Sequence, residues 1–481
     1  MKRRHWVMLP LSLVGVLFSS YAFATTLTWH DAKSVTLPSG GTGFYQGQFS
    51  TLACARGGNC VASGPYLAQG GVVHTVVVSE INGQWRAAVA LASPANAAAN
   101  SGLSVYGASC ARPGACALVG NYQTTAGYVV PFAATSNANR WATPVSIALP
   151  TNAPTSESNA LLRSVACASV GNCDAVGTYL DGAAAPHTLA LAVREVRGTW
   201  QRATPLPLPN DANVNSLVTL NQLSCARPGN CVAAGSYVNR DNVSQALVVN
   251  EINGTWQKAQ ALTLPGNASA YAGASLSGLT CTSVGNCVAA GVYNTVTGDL
   301  EGLLADEVNG TWQRGRELVA PVDAAVNPRI FFYGFGEVSC ASAGNCALGG
   351  QYRDQRGNYQ GLLADEVNGM WQRAQSVALP PGATRAGKNG GVVAVTCPKK
   401  GSCRAGAAYL DANANYQAMT LSQIAGSWRA GVKVNLPGGA TSVGVAGGLY
   451  GLQCSTPTTC SAIGSYVDQA TNYQGFTLTA P

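Results

Sequence analysis

Apolar and polar residues alternate along this chain in short runs, and the runs recur. A typical stretch is Leu223-Ser224-Cys225, then a polar tip, then Cys231-Val232-Ala233-Ala234-Gly235-Ser236-Tyr237. A third run, Ala246-Leu247-Val248-Val249-Asn250-Glu251-Ile252, ends at Asn253-Gly254. A fourth carries Trp256 and stops at Leu264-Pro265. Period-two runs of this length, separated by turn residues, predict four short antiparallel strands. Asn-Gly tolerates the positive φ of a tight hairpin, and Pro cannot donate to a ladder, so it ends the last strand.

The cysteines mark the period. Eight pairs share one spacing: Cys54/Cys60, Cys110/Cys116, Cys167/Cys173, Cys225/Cys231, Cys281/Cys287, Cys340/Cys346, Cys397/Cys403 and Cys454/Cys460. Each brackets a tight loop in which symmetrically placed flanking residues face each other, so the pairs read as disulfides across hairpin necks. Zinc sites use shorter spacings and add histidine, and no histidine recurs here. A tyrosine follows each pair: Tyr66, Tyr122, Tyr179, Tyr237, Tyr293, Tyr352, Tyr409 and Tyr466. A tryptophan belongs to each unit as well. The last unit lacks one, and Trp29-His30-Asp31-Ala32 with Leu37-Pro38 near the N-terminus supplies it.

Repeats of about 57 residues with four strands each predict an all-β, eight-bladed β-propeller, closed by the N-terminal strand completing the last blade. The repeated Ser-Cys-x5-Cys-x-Ala-x-Gly-x-Tyr and Asn-Gly-Thr-Trp motifs resemble those of secreted bacterial β-propeller proteins. That resemblance implies the fold and no single activity, because propellers serve as lectin-like binders, assembly scaffolds and enzymes.

Met1-Lys2-Arg3-Arg4, the apolar run Val7–Phe18 and Ala22-Phe23-Ala24 read as a signal peptide over 1–24, with one propeller domain over 25–481. The protein is expected to be exported, periplasmic or secreted, with no transmembrane span. Charged residues make up only 10% of the chain. After cleavage 25 cations face 21 anions, which argues against nucleic acid as a partner. Zincin, nucleophile-elbow and phosphate-loop signatures are absent, so no catalytic residue, cofactor or metal is assigned. Asp411-Ala412-Asn413-Ala414-Asn415 reads as a polar hairpin tip. His74 and His187 read as substitutes for a recurrent glutamine. The glutamates before the turns (Glu80, Glu195, Glu251, Glu307, Glu366) are expected to pair across the hairpin with the cations beyond each Trp (Arg86, Arg202, Lys258, Arg314, Arg373).

Function is expected in the loops. The segments leading into Cys340 and Cys54 concentrate aromatic residues, and Arg329, Phe331, Phe332, Tyr333, Phe335, Phe44 and Tyr45 are the candidate ligand-binding residues. Aromatic rings beside guanidinium and amide groups suit stacking against sugars. The expected role is a binding module for glycans or a cell-surface polymer. The alternatives are an envelope-protein scaffold, or a polysaccharide-active enzyme with a channel-face site.

Overall fold

The computed structural model describes residues 28–480 except 48, 100, 155–158, 184–185, 214–216, 333–337, 385–390 and 441–446. The signal-peptide segment, Tyr333 and Phe335 lie outside the described residues. Eight separate antiparallel sheets form the chain, one per repeat. Blade 4 shows the plan, with an inner strand Thr219–Arg227, a second strand Asn230–Val238 and a third strand Ser244–Ile252. Its outer strand comes in two pieces, Thr255–Trp256 and Gln260–Ala261. Blade 8 takes its outer strand from the N-terminus, as expected: Lys33 and Ser34 pair with Thr477 and Phe476.

The break in the outer strand has a purpose. The residue three beyond each Trp turns away from its own sheet. There it donates its backbone N–H to the preceding blade, as Ala203 does to Ala148, Ala259 to Pro207 and Ala32 to Asn435. Ala88 donates to Thr36 of blade 8, so this belt crosses the closing seam. Blade 2 has Pro144 at this place, which has no N–H to give. A second belt runs near the axis. The hydroxyls of Ser109, Ser224 and Ser339 accept from the N–H of Cys167, Cys281 and Cys397 in the following blade.

The eight cysteine pairs are all joined as disulfides, with Cα atoms about 4 Å apart. In blades 1 to 4 they are Cys54–Cys60, Cys110–Cys116, Cys167–Cys173 and Cys225–Cys231. In blades 5 to 8 they are Cys281–Cys287, Cys340–Cys346, Cys397–Cys403 and Cys454–Cys460. The paired cysteines face each other across the hairpin neck as the spacing predicts, Cys225 opposite Cys231, and most pairs differ in burial. Cys60, Cys173, Cys231, Cys287, Cys346, Cys403 and Cys460 are buried, and Cys116 is half-buried. The first members are half-buried, with Cys397 buried as well. The difference follows from strand position. The second cysteine opens the second strand, which has a paired strand on each edge, whereas the inner strand has one edge toward the channel. Each sulfur is therefore spent on the fold and none is a free thiol. Such a complement is stable in an oxidising compartment. No helix among the described residues is long and apolar enough to cross a membrane.

The core is eight clusters, one between each pair of neighbouring blades. Val119 and Ile147 of blade 2 meet Leu162, Tyr179 and Leu191 of blade 3, with Trp200 packed against them. Phe44 and Phe49 of blade 1 meet Val35 and Ile463 of blade 8 across the closure. The recurrent Tyr is buried to its hydroxyl, which then needs a partner. In blades 2 to 6 it finds an Asx side chain in the turn after the preceding outer strand. Tyr122 donates to Asn96, Tyr179 to Asn152, Tyr237 to Asp211, Tyr293 to Asn267 and Tyr352 to Asp323. Tyr179→Phe should cost about 1 kcal/mol by urea unfolding, because it removes the hydrogen bond that ties the buried ring to the Asn152 amide. No loss would show that water satisfies that amide.

The predicted cross-strand ion pairs do not form. Each glutamate lies opposite the Trp itself, as Glu195 opposite Trp200, so its side chain enters the seam between blades. Glu80 accepts from Ser461 and Thr479 of blade 8, and Arg194 of blade 3 pairs with Glu251 of blade 4. The cations beyond the Trp reach backbone carbonyls of the preceding blade instead: Arg314 to Leu264, 2.9 Å, and Arg373 to Ala320, 2.8 Å.

Candidate functional site

The inner strands of successive blades pack side by side around a central channel. A residue on such a strand has its own sheet on one side and neighbouring inner strands on two others. An exposed side chain there faces the channel. Every regular inner strand also carries a β-bulge four residues before its first cysteine. The register jumps from Val105 to Gly107, Leu162 to Ser164, Leu220 to Gln222, Leu276 to Gly278, Val392 to Ala394 and Leu449 to Gly451. A bulge leaves one residue unpaired and re-aims its side chain. The residues skipped are Tyr106, Arg163, Asn221, Ser277, Val393 and Tyr450. In blade 1, Ser50 holds this place, and its N–H shares Ser63 O with the ladder.

These positions differ from blade to blade although their surroundings repeat. The bulge is made possible by the glycine of Gly-x-Tyr. A Cβ on Gly120, Gly177, Gly235 or Gly291 would lie 1.8–1.9 Å from an inner-strand carbonyl oxygen. The inner chain bows over a place where no side chain can stand, and the bowed residue projects inward.

The arc from blade 8 to blade 4 therefore reads Tyr450, Ser50, Tyr106, Arg163, Asn221. The Arg163 guanidinium carbon lies 5.2 Å from the Tyr106 ring centroid, a cation–π contact between adjacent blades. Tyr106 remains 37% exposed. Tyr450 is half-buried, its hydroxyl accepts from Ser465, and burial raises the phenol above its usual range. The arc offers an aromatic face, a fixed guanidinium, an amide and hydroxyls. It is equipped to hold a polyhydroxylated ring and carries no nucleophile–base pair.

The connectors between blades open onto the same mouth, since the bulge lies near the start of each inner strand. Here the residues predicted from sequence separate. Phe44 is 2% exposed and packs on Phe49, and Phe332 is 8% exposed in the seam between blades 5 and 6. Both rings belong to the core. Phe331 is half-buried against Tyr359 and bridges Gln351. Arg329 is exposed, and Tyr45 is 38% exposed on a short turn, Tyr45–Gly47, against blade 8. Tyr45 and Arg329 thus stay available for contact. Both lie in or beside the aromatic-rich segments of the sequence, whereas the bulge residues are marked there only by their variation at a fixed distance from cysteine.

The loops between second and third strands are built locally. Asp411 Oδ1 accepts from the N–H of Asn413 and Asn415, and its other oxygen from Gln417. Those bonds make a hairpin tip and hold the Asp411 carboxyl below its usual range. His187 Nδ1 lies 2.8 Å from Asp181, as Gln360 lies 3.0 Å from Asp354, so histidine does replace the recurrent glutamine.

No family model and no curated protein matches the chain. Among solved structures it is similar in shape to a polysaccharide lyase of the ulvan lyase family PL25, at 11% identity over 77% of this chain and 91% of that one, TM-score 0.42. It is also similar to a protein of unknown function from Dyadobacter fermentans, at 10% identity over 95% and 99%, TM-score 0.38. A subtype N11 neuraminidase-like protein from a bat influenza A virus shares 11% identity over 84% and 98%, TM-score 0.37.

Proposed function

We propose that this protein is an exported binding module for a glycan or cell-surface polymer, which it takes at the connector-side mouth of the channel. The observation that carries this reading is the arc of bulge residues, above all Tyr106 held against Arg163. One face of the ring is covered by the guanidinium, and the other can stack on the C–H face of a sugar. Arg163 and Asn221 then donate to its hydroxyls, and Tyr45 and Arg329 on the connectors extend the contact. Eight disulfides suit a protein that works outside the reducing cytosol.

A glycan array with the oxidised protein, followed by titration of the best ligand, tests this. Tyr106→Ala and Arg163→Ala should each weaken binding about tenfold, with unchanged unfolding midpoints, because both side chains lie outside the packed seams. Full affinity in both variants would move the site elsewhere. Shortening of the polymer during the assay would make the protein an enzyme. A second reading, as a scaffold for an envelope protein, draws on Tyr271, Val322 and Val326, which are 83–97% exposed on the connector side of blades 4 to 6.

A further inference from the structure

The opposite mouth of the channel carries a charge pattern of its own. It is ringed by the tips of the inner hairpins, two residues beyond each first cysteine. Arg56, Arg112 and Arg227 stand there on blades 1, 2 and 4, and Lys399 and Lys400 on blade 7, all exposed. Arg140 and Arg197 on the outer hairpins of blades 2 and 3 add two more exposed cations. The ion pairs among the described residues use Arg194, Arg316 and His187, and none of these seven.

Acids are present at this end but withdrawn from its surface. Glu80, Glu195, Glu251, Glu307 and Glu366 are buried in the seams, and so is Asp174; Asp306 and Asp365 are half-buried. Several are held there by groups of the adjacent blade, as Glu80 by Ser461 and Asp365 by Gln423 and Trp428. A molecule approaching this mouth meets the cations first.

Arg56, Arg112, Arg227, Arg140 and Arg197 stand on blades 1 to 4, within the bulge arc, and Lys399 and Lys400 flank it on blade 7. Tyr106 and Arg112 share one inner strand, Ser104–Arg112, and Asn221 and Arg227 share another, Thr219–Arg227. Six residues of strand separate the two members of each pair, about 20 Å. Blades 5 and 6 carry no cation two residues beyond the first cysteine, where Ser283 and Ser342 stand. The wall of blades 8 to 4 is thus a polar track with aromatic, amide and guanidinium groups at one end and exposed cations at the other.

Resting on the proposed glycan-binding role, we infer that the polymer is an acidic polysaccharide, whose carboxylate or sulfate groups are held by Arg56, Arg112, Arg227 and Lys399 at the hairpin-side mouth. Among polyanions, an acidic polysaccharide fits best. The disulfides suit an oxidising compartment, away from nucleic acid, and the other end of the track is equipped for sugar rings.

The test compares alginate, neutral dextran and single-stranded poly(dT), using the oxidised chain and an Arg56→Gln/Arg112→Gln/Arg227→Gln variant. Alginate should bind, about tenfold more weakly in the triple variant and much more weakly in salt well above physiological strength, where surface charges are screened. Circular dichroism and the unfolding midpoint should match the parent, since all three residues are exposed. Equal binding of dextran and alginate, insensitive to the triple variant, would overturn the inference and leave glycan binding standing. Tighter binding of poly(dT) would overturn it in favour of nucleic acid. Alginate binding that survives the triple variant would remove these arginines from the role. No binding of either polysaccharide would also overturn it, and the array would then decide the proposed function separately.

Discussion

Gly177→Val should be among the most damaging single substitutions in this protein, at more than about 3 kcal/mol of stability, while Gly438→Ala should stay within about 0.5 kcal/mol. A Cβ on Gly177 would lie 1.9 Å from Leu161 O and 2.8 Å from Leu162 Cα. Both atoms are backbone, and neither can swing aside as a side-chain tip would. To make room, the inner strand of blade 3 must leave its ladder, and the bulge that presents Arg163 goes with it. A Cβ on Gly438 meets nothing within 4 Å. Urea unfolding of the two variants checks the contrast. If some Gly177→Val survives folded, the Tyr106–Arg163 contact should be lost first, seen as weakened ligand binding at full secondary structure. Equal stability of both variants would mean that the inner strand is soft at the bulge.

Glu366→Gln should stabilise the protein at pH 8 and leave it unchanged near pH 4. At the seam between blades 5 and 6, Glu366 meets Asp306, an acid, where other blades offer a donor. A cavity of about 240 Å³ there is lined by Asp306, Glu307, Glu366, Asn286 and Thr280. Asp306 Oδ1 and Glu366 Oε2 are buried without a hydrogen-bond partner. Arg316 reaches Asp306 and compensates in part. Burial, then the charge of Asp306, opposed by Arg316, raise the Glu366 carboxyl from 4.5 to about 7. The sign follows from linkage. Between those values the folded protein holds a proton that the unfolded chain has released. Stability therefore falls as pH rises from about 4.5 to about 7 and is flat above. The full effect is on the order of 2 kcal/mol. The neighbouring seam already contains the remedy: Gln423 of blade 7 donates to Asp365 of blade 6 at 2.9 Å. Unfolding midpoints of parent and variant at both pH values check this, and equal midpoints at pH 8 would mean that Arg316 neutralises the pair fully.

The fold was legible because its physical demands recur eight times. A disulfide neck and a buried tyrosine each tolerate few residue types, so every repeat restates them in the same letters, and half of the repeats add Asn-Gly at the outer turn. Closure was legible for the same reason, since Trp29 completes a set with one member missing. The partner of the buried tyrosine was also written in the chain. Pro150-Thr151-Asn152, Pro209-Asn210-Asp211 and Pro265-Gly266-Asn267 repeat a Pro-x-Asx pattern. It escapes notice because its role depends on a hydroxyl 26 residues away. The glutamates misled because hairpin proximity was counted along the sequence, whereas the sheet twists them into the seam between blades. The candidate site was hard to read for a deeper reason. Phe44 and Phe332 stand out by hydrophobicity, and the same property buries them. Tyr106, Arg163 and Asn221 share no chemistry, and only the bulge makes them equivalent.

The two kinds of closure in this protein run on different clocks. Each cysteine meets its partner six residues later, so a chain emerging from its N-terminus can complete every disulfide in order of appearance, with the nearest thiol always the right one. The ring cannot follow that schedule. Lys33 accepts from Thr477, 444 residues away, and until that strand arrives the first-made segment has no sheet to join. Before that contact forms, the chain is a row of stapled but unlocked blades, with an apolar flank of blade 1 awaiting blade 8. The meeting of those two strands is the moment of assembly.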